Sequence, residues 1–195
     1  SFSGGHALYL GATQPNLAAI LAQCPFTDGL ASSMATNPIS SMRVMPLAIA
    51  DTVKACFGGK PIMVPCSAPP FGVGLMTASD CQSGMSALVP AQSTFRNEVA
   101  ARFALQIITY RPGKLAKKVP CPAFIAICDK DTVAPSKTAL KQVRQAPLAE
   151  VKVYQEGHFD IYIGQAFERV IADQINFLHR HVPPSSQDAA AADAP

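Results

Sequence analysis

The segment between Pro122 and His181 alternates short apolar runs with helical patterns, and this order restricts the fold more than any other feature. Pro122–Cys128 is apolar and predicts a buried strand, and Ser136–Gln145, with Ser136 as its N-cap, predicts a helix. Glu150–Tyr154 alternates apolar and polar side chains, which predicts a second strand, and Ala166–His181 has the spacing of an amphipathic helix. Strands that alternate with helices favour an α/β fold with a parallel sheet.

The beginning of the chain adds one more unit of the same kind. His6–Thr13 is compact and apolar, with spacing that fits a helix. Leu17–Cys24 is a short apolar run that predicts a buried strand, although its Ala and Leu content also fits a helix. Three strands are few for a parallel sheet, so we expect further strands to precede Ser1.

A long stretch, residues 25–120, separates these two regular regions. It is rich in Gly, Pro, Ser and Met, with helical patterns at Ile39–Phe57 and Phe95–Tyr110 and an irregular stretch at Gly58–Pro90. Insertions of this length between regular elements tend to be functional, often as lids. The predicted division is therefore a core of residues 1–24 and 121–182, a cap of residues 25–120, and a low-complexity, disordered tail of residues 183–195.

The chain is more apolar than an average soluble domain, with 49% hydrophobic residues, 15% charged residues and a mean hydropathy of +0.19. A parallel sheet buried on both faces accounts for this composition, as would apolar surfaces that meet absent partners. No apolar stretch reaches the roughly 18 residues that a membrane-spanning helix needs. The sequence therefore predicts no membrane span.

The basic residues behind the net charge of +3 are scattered, with one local cluster at Lys114, Lys117 and Lys118. A nucleic-acid surface shows a longer basic face with aromatic or motif support. We therefore predict no nucleic-acid partner.

The cysteines form no C-x-x-C pair, although the chain contains six of them. Cys24, Cys121 and Cys128 lie in or beside strand-like runs, where a free cysteine behaves as a small hydrophobe. This pattern predicts a reducing compartment, with the cytoplasm favoured, and no metal site. Disulfides stay an open alternative among the other three cysteines, Cys56, Cys66 and Cys81.

Ser3, in the sequence S-F-S-G-G, is a candidate nucleophile. A serine on a sharp strand-to-helix turn needs small residues two positions before and after it, and Ser1 and Gly5 meet that need. Such a turn exposes the serine Oγ at the N-terminus of the following helix. The usual pattern is G-x-S-x-G, and Ser1 replaces its first glycine. An ordinary glycine-rich turn is the alternative.

Two further candidates follow the predicted strands of the second half of the chain. Asp131 lies in the loop after Cys128, where a carboxylate can orient an imidazole, or alternatively cap a helix or form a turn. Asp129 is an alternative for the same role, but Asp131 is preferred because it lies farther from the strand, in a loop that can bend toward the histidine. His158 follows a glycine after the last strand, and the interval from Asp131 leaves room for one helix and one strand. Ser, Asp and His in this order match the α/β-hydrolase triad.

Four motifs make the sequence resemble the C-terminal part of α/β-hydrolase fold enzymes, over most of the chain from Ser1 to about Val182. They are S-F-S-G-G-H at the start, A-Q-C-P-F-T-D-G at Ala22–Gly29, D-K-D-T-V-A-P at Asp129–Pro135 and G-H-F-D-I-Y at Gly157–Tyr162. The resemblance is to serine hydrolases related to esterases and serine aminopeptidases. It implies a parallel sheet with flanking helices and a helical cap, with the N-terminal strands of the fold missing.

The same resemblance implies roles for individual residues. Ser3 would be the nucleophile, His158 the base and Asp131 the acid, with the Gly4 N–H as an oxyanion donor. A second donor would come from a loop that this chain does not contain. Two residues are predicted to bind substrate, namely Phe2 and Asp28, although Asp28 fits the N-cap of a helix better.

The implied reaction is acyl transfer to Ser3 from a small-molecule ester or amide, with no cofactor or metal. Met and Phe side chains of the cap would supply an apolar pocket, or simply pack the cap. These side chains are Met34, Met42, Met45, Phe57, Met63, Phe71, Met76 and Met85. The alternative function is a truncated, non-catalytic relative. The substrate and the oligomeric state are left open by the sequence.

Overall fold

A computed structural model describes residues 1–183 as seven α-helices and five strands. The predicted tail lies outside the described residues from residue 184 onward. In chain order the elements are α1 (Phe2–Thr13), β1 (Ile20–Gln23), α2 (Gly29–Ala35), α3 (Pro38–Cys56), β2 (Met63–Val64), α4 (Cys81–Leu88), β3 (Val99–Ala100), α5 (Phe103–Thr109), β4 (Ala123–Cys128), α6 (Ser136–Val143), β5 (Ala149–Tyr154) and α7 (Gly164–His181).

The central sheet contains three parallel strands in the order β1-β4-β5. Ile20 pairs with Ala123, and Ala123 pairs in turn with Ala149. The connections between neighbouring strands run through helices, as parallel pairing requires. The predicted α/β fold with a parallel sheet is therefore confirmed.

Strand β4 is buried on both faces because it lies in the middle of this sheet. Its odd-numbered side chains, such as Ile125, pack with Leu8 of α1 and Val143 of α6. Its even-numbered side chains, such as Phe124, pack with Phe177 of α7. Alternation of side chains across a strand explains why an entirely apolar run suits this position.

The inserted segment forms a separate small core above the sheet. Helices α3 and α5 and the antiparallel pair β2–β3 meet around Ala48, Val64 and Ala101. The buried carboxylate of Asp51 connects them by accepting hydrogen bonds from the backbone N–H groups of Ile62 and Arg102, at 2.7 and 2.9 Å. The Nε of Arg102 also donates to it at 3.0 Å.

Several helices differ from the sequence prediction: α2 and α4 lie where no helix was predicted, and two others have different bounds. The predicted helix Phe95–Tyr110 is reduced to α5, because Val99–Ala100 pairs with β2 instead. Helix α1 begins at Phe2, four residues before the predicted His6. The first turn therefore contains the serine and glycines that the sequence suggested as a loop.

The predicted cap segment also contains a stretch that packs with the sheet. Pro112–Lys118 forms a 3₁₀ helix, and Ala116 and Val119 are fully buried in the core beside α1 and α6.

Within the described part of the chain, no helix combines the length and apolar character needed to cross a bilayer. All six cysteines are free thiols in the structure.

Candidate active site

Asp131 and His158 lie together at the carboxyl ends of β4 and β5. Oδ2 of Asp131 is 2.7 Å from Nδ1 of His158, and both side chains are almost completely buried. A carboxylate only accepts hydrogen bonds, so Nδ1 of His158 carries the proton that is donated to Asp131. In the neutral imidazole, Nε2 is then free to accept a hydrogen bond from a second group. This arrangement orients an imidazole to act as a general base.

The loop after β4 fixes the orientation of the Asp131 carboxylate. Its Oδ1 accepts hydrogen bonds from the backbone N–H groups of Val133 and Ala134, at 2.8 and 2.6 Å. Oδ2 is thereby turned toward His158. Asp129, the rival candidate from the sequence, is exposed at the end of the strand.

The loop after β5 presents His158 on a tight turn. The N–H of Gly157 donates to Oδ2 of Asp160 at 3.1 Å, which closes the turn around the histidine. The Phe159 ring lies edge-on to the imidazole, with 5.0 Å between ring centroids. The imidazole is therefore held by packing as well as by its carboxylate partner.

Ser1 immediately precedes α1 and lies close to this pair. Its carbonyl oxygen accepts from the N–H of Phe26 at 3.0 Å, and its backbone nitrogen lies 2.9 Å from the Tyr162 hydroxyl. Ser1 is the serine at the N-terminal end of the helix, and it lines the same cavity as Thr132 and Val133 of the Asp131 loop.

Two glycines allow α1 to approach the loop after β1. A Cβ atom on Gly4 would lie 3.0 Å from the Cα of Pro25, and one on Gly5 would overlap the carbonyl oxygen of Phe26. The N–H of Gly4 donates to the carbonyl oxygen of Ser1 at 2.9 Å. The N–H that the resemblance assigned to the oxyanion is therefore already used in this hydrogen bond. In the structure, Gly4 instead allows the close contact between α1 and Pro25.

The structure does not bring Ser3 to the histidine. Ser3 lies in the first turn of α1 with an exposed side chain, and it is absent from the cavity lining among the described residues. Ser1 is two residues earlier and does line the cavity. Each serine has a small residue two positions after it, Ser3 for Ser1 and Gly5 for Ser3, so this spacing alone does not distinguish them.

A cavity of about 690 Å³ is lined mainly by the inserted segment and reaches the loop after Asp131 through Thr132 and Val133. Its wall includes Ser1, Phe2 and Thr132 from the sheet side. Phe2 also packs against Phe26 and Phe103, with ring centroids 4.9 and 5.4 Å apart. Four of the eight predicted Met and Phe side chains line the cavity, namely Met34, Met45, Met76 and Met85. The others have exposed side chains, Met42, Phe57, Met63 and Phe71.

Asp28 caps a helix and takes no part in the cavity wall. Its Oδ1 accepts from the N–H groups of Leu30 and Ala31 at the start of α2, and Oδ2 accepts from Arg111 and Gln142 at 2.8 to 3.0 Å. Burial alone would raise the pKa of Asp28, but these bonds together hold it below its ordinary value. The substrate-binding role predicted for Asp28 is replaced by this structural one.

One group of side chains has the composition of a metal site. The ligand atoms of Cys24, Asp131 and His158 all lie within 4.8 Å of one another. Sγ of Cys24 lies 3.0 Å from Sγ of Cys128, and this contact and burial raise the pKa of the Cys24 thiol. A metal ligand must be a thiolate, so the donor set fits an ion poorly.

Similar sequences include quorum-quenching protein AidA of Acinetobacter baumannii (strain MDR-ZJ06). It is 50% identical over 183 residues, which cover 94% of this chain and 60% of AidA. An uncharacterized 31.7 kDa protein from the traX-finO intergenic region of Escherichia coli is 32% identical over 81 residues, covering 40% of this chain and 28% of that protein. The chain thus spans less than two thirds of each relative. No family model matches it.

Similar folds occur among solved structures of α/β hydrolases. GrgF from Penicillium sp. sh18 has a TM-score of 0.69 at 21% identity, covering 91% of this chain and 60% of GrgF. The monoacylglycerol lipase of Paleococcus ferrophilus has a TM-score of 0.65 at 12% identity, covering 91% of this chain and 65% of the lipase. Such low identities establish a shared fold. With its parallel sheet between helices, the chain has the fold of the α/β hydrolases.

Proposed function

We propose that this chain carries the catalytic triad of a serine hydrolase, with Ser1 as nucleophile, His158 as base and Asp131 as the carboxylate that orients it. The observation that carries the proposal is the 2.7 Å contact between Asp131 and His158 beside a cavity that Ser1 lines. Ser3, the nucleophile expected from the sequence, is the alternative that an experiment must exclude.

In the proposed reaction the Ser1 hydroxyl attacks an ester or amide carbonyl while Nε2 of His158 accepts its proton. His158 then protonates the leaving group, and water releases the acyl group by the same route. The Asp131 carboxylate stabilises the imidazolium that forms in each half of the reaction. No step requires a metal or an organic cofactor.

The oxyanion would be stabilised by the first N–H groups of α1. In the α/β-hydrolase pattern one donor is the backbone N–H of the residue after the nucleophile, which is Phe2 for Ser1. As the first residue of α1, Phe2 has no carbonyl acceptor within the helix for its N–H. The helix dipole adds partial positive charge at the same point.

A fluorophosphonate probe tests the proposal directly, because it modifies only an activated serine. The chain is labelled and digested with trypsin, and the peptide that ends at Arg43 is fragmented to distinguish Ser1 from Ser3. We expect the label on Ser1, with loss of labelling in Ser1→Ala and in His158→Ala. Ser3→Ala is the matched control and should label as the wild type does.

Three outcomes of the labelling experiment would contradict the proposed triad. A label on Ser3, lost in Ser3→Ala, would overturn the assignment of Ser1. No label on either serine in a folded chain would favour the non-catalytic alternative. A label on Ser1 that persists in His158→Ala would overturn the role of the histidine.

The substrate is proposed to have an apolar acyl or leaving group, because Met and Phe side chains line the cavity. The specificity constant kcat/KM for p-nitrophenyl esters should rise with acyl chain length, and p-nitroanilides of the same acyl groups compare ester with amide cleavage.

AidA is named a quorum-quenching protein, and we extend that role to this chain as part of the proposal. A quorum-sensing reporter strain should respond less to conditioned medium incubated with the chain than with Ser1→Ala.

A further inference from the structure

Helix α4 of the cap packs directly on the loop that carries the histidine. A Cβ atom on Gly84 would overlap the ring of Phe159, so the absence of a side chain at Gly84 leaves the space that this ring occupies. Phe159 is 5% exposed and lies edge-on to His158. The position of α4 therefore determines where the Phe159 ring lies, and the ring supports one side of the imidazole.

The same helix also holds the loop that carries the acid. The hydroxyl of Thr132 donates to the carboxylate of Asp80, with distances of 2.8 and 2.9 Å to its two oxygens. Asp80 is the residue at the N-terminal end of α4, and Thr132 directly follows Asp131. A bond to a charged acceptor is stronger than one between neutral groups, so it fixes this loop against the cap.

Both contacts come from one side of α4, because Asp80 and Gly84 are four residues apart. The residues that follow each of them, Cys81 and Met85, line the cavity. One face of this short helix thus contacts the space for substrate, while the adjoining face contacts the loops of Asp131 and His158.

We propose that α4 is a positioning element, in which Gly84 and Asp80 act through Phe159 and Thr132 to align the Asp131–His158 pair. The inference rests on the proposed function for its catalytic consequence, since it assigns no new chemistry. It makes the cap part of the catalytic alignment as well as a cover for the cavity. These four residues are positioning residues and need not touch the substrate.

The test uses two variants that disturb the contacts in different ways. Gly84→Ala places a methyl group against Phe159, and Thr132→Val removes the hydroxyl while keeping the side-chain shape. Thr132→Ser keeps the hydroxyl, and Gly84→Ala with Phe159→Leu restores space. Gln82→Ala is the matched control, because Gln82 lies on the exposed side of α4.

The first readout is the downfield proton resonance of the His158 imidazole in ¹H NMR, identified by its loss in Asp131→Asn. This signal reports the pair whether or not the chain turns over substrate. We expect it to shift or broaden in Gly84→Ala and Thr132→Val, and to stay unchanged in Thr132→Ser and Gln82→Ala. The double variant should move it back toward the wild-type position.

The second readout is the hydrolysis of p-nitrophenyl acetate, a substrate too small to fill the cavity. We expect kcat to fall by about 10- to 100-fold in the two disturbing variants, with KM nearly constant, as misalignment near a reacting group predicts. Thermal unfolding monitored by circular dichroism confirms that the variants are folded. An unmoved resonance in both disturbing variants, or an equal shift in Gln82→Ala, would overturn the inference. Absence of hydrolysis in the wild type would contradict the proposed function alone.

Discussion

The two oxygens of the Asp131 carboxylate have different partners, and this division fixes the imidazole of His158. Oδ1 is held by two backbone N–H groups of its own loop, so that Oδ2 lies 2.7 Å from Nδ1 of the histidine. A carboxylate held in this way cannot rotate to exchange its oxygens without breaking two hydrogen bonds. The pair is thus oriented by backbone geometry before any substrate binds.

Replacing Asp131 by Asn should reduce kcat by about 10⁴-fold, because the amide favours the wrong imidazole tautomer. KM should change little, since the imidazole stays buried in the same position. The measurement is the steady-state hydrolysis of a p-nitrophenyl ester. Asp129→Asn is the control, and a larger loss in that variant would identify Asp129 as the acid instead.

Asp28 should make the stability of the chain sensitive to acid. Its pKa is lowered in the folded protein, so its contribution is present above the ordinary pKa of 3.8 and is lost as the pH falls through the lowered value. Asp28→Asn should therefore show a smaller decrease in the free energy of unfolding below pH 3.8 than the wild type. Urea unfolding at several pH values measures this, and parallel curves for the two proteins would contradict it.

Gly5→Ala should destabilise the chain by about 1–3 kcal/mol, because the new methyl group would overlap the carbonyl oxygen of Phe26 and the backbone must move. Gly11→Ala in the same helix is the matched control. Its methyl group would meet side-chain carbons of Ile20 and Val119 at 3.0–3.4 Å, and these can adjust. Alanine also favours a helix over glycine. Equal unfolding midpoints for the two variants would contradict the expectation.

The cysteines should react with iodoacetamide in an order set by exposure and pKa. Cys56 is exposed and should be alkylated first. Burial raises the pKa of the Cys81 thiol to about 11, so little thiolate is present at pH 8 and alkylation should be slow in the folded chain. Mass spectrometry of digested samples gives the order, and early alkylation of Cys81 would show that the cap opens readily.

The central elements could be predicted because their patterns are local. The apolar run of β4 and the helical spacing of α7 each specify one kind of element. The sheet pair β2–β3 could not be predicted in the same way. It joins two residues from each of two distant segments, and neither Met63–Val64 nor Val99–Ala100 has a pattern of its own.

For the candidate site too, local patterns predicted some residues and not others. Asp131 and His158 follow strands that the sequence reveals, and the carboxyl ends of parallel strands meet at one edge of the sheet. The choice between Ser1 and Ser3 depends on the residue at which α1 begins. Both serines have a small residue two positions later, Ser3 and Gly5, so this spacing does not separate them. The sequence favours Asp28 as an N-cap, and the structure confirms this, but its bonds to Arg111 and Gln142 join distant parts of the chain and could not be predicted.

The buried carboxylate of Asp51 has a consequence for how such chains diversify. It satisfies two backbone N–H groups from separate cap segments, and its own bonds do not involve the sheet that carries Asp131 and His158. The framework of the cap therefore includes hydrogen bonds that Asp51 accepts from backbone N–H groups, which do not depend on the side chains that line the cavity. Mutation and selection can alter the residues that face the cavity, and so its shape and polarity, without removing these bonds.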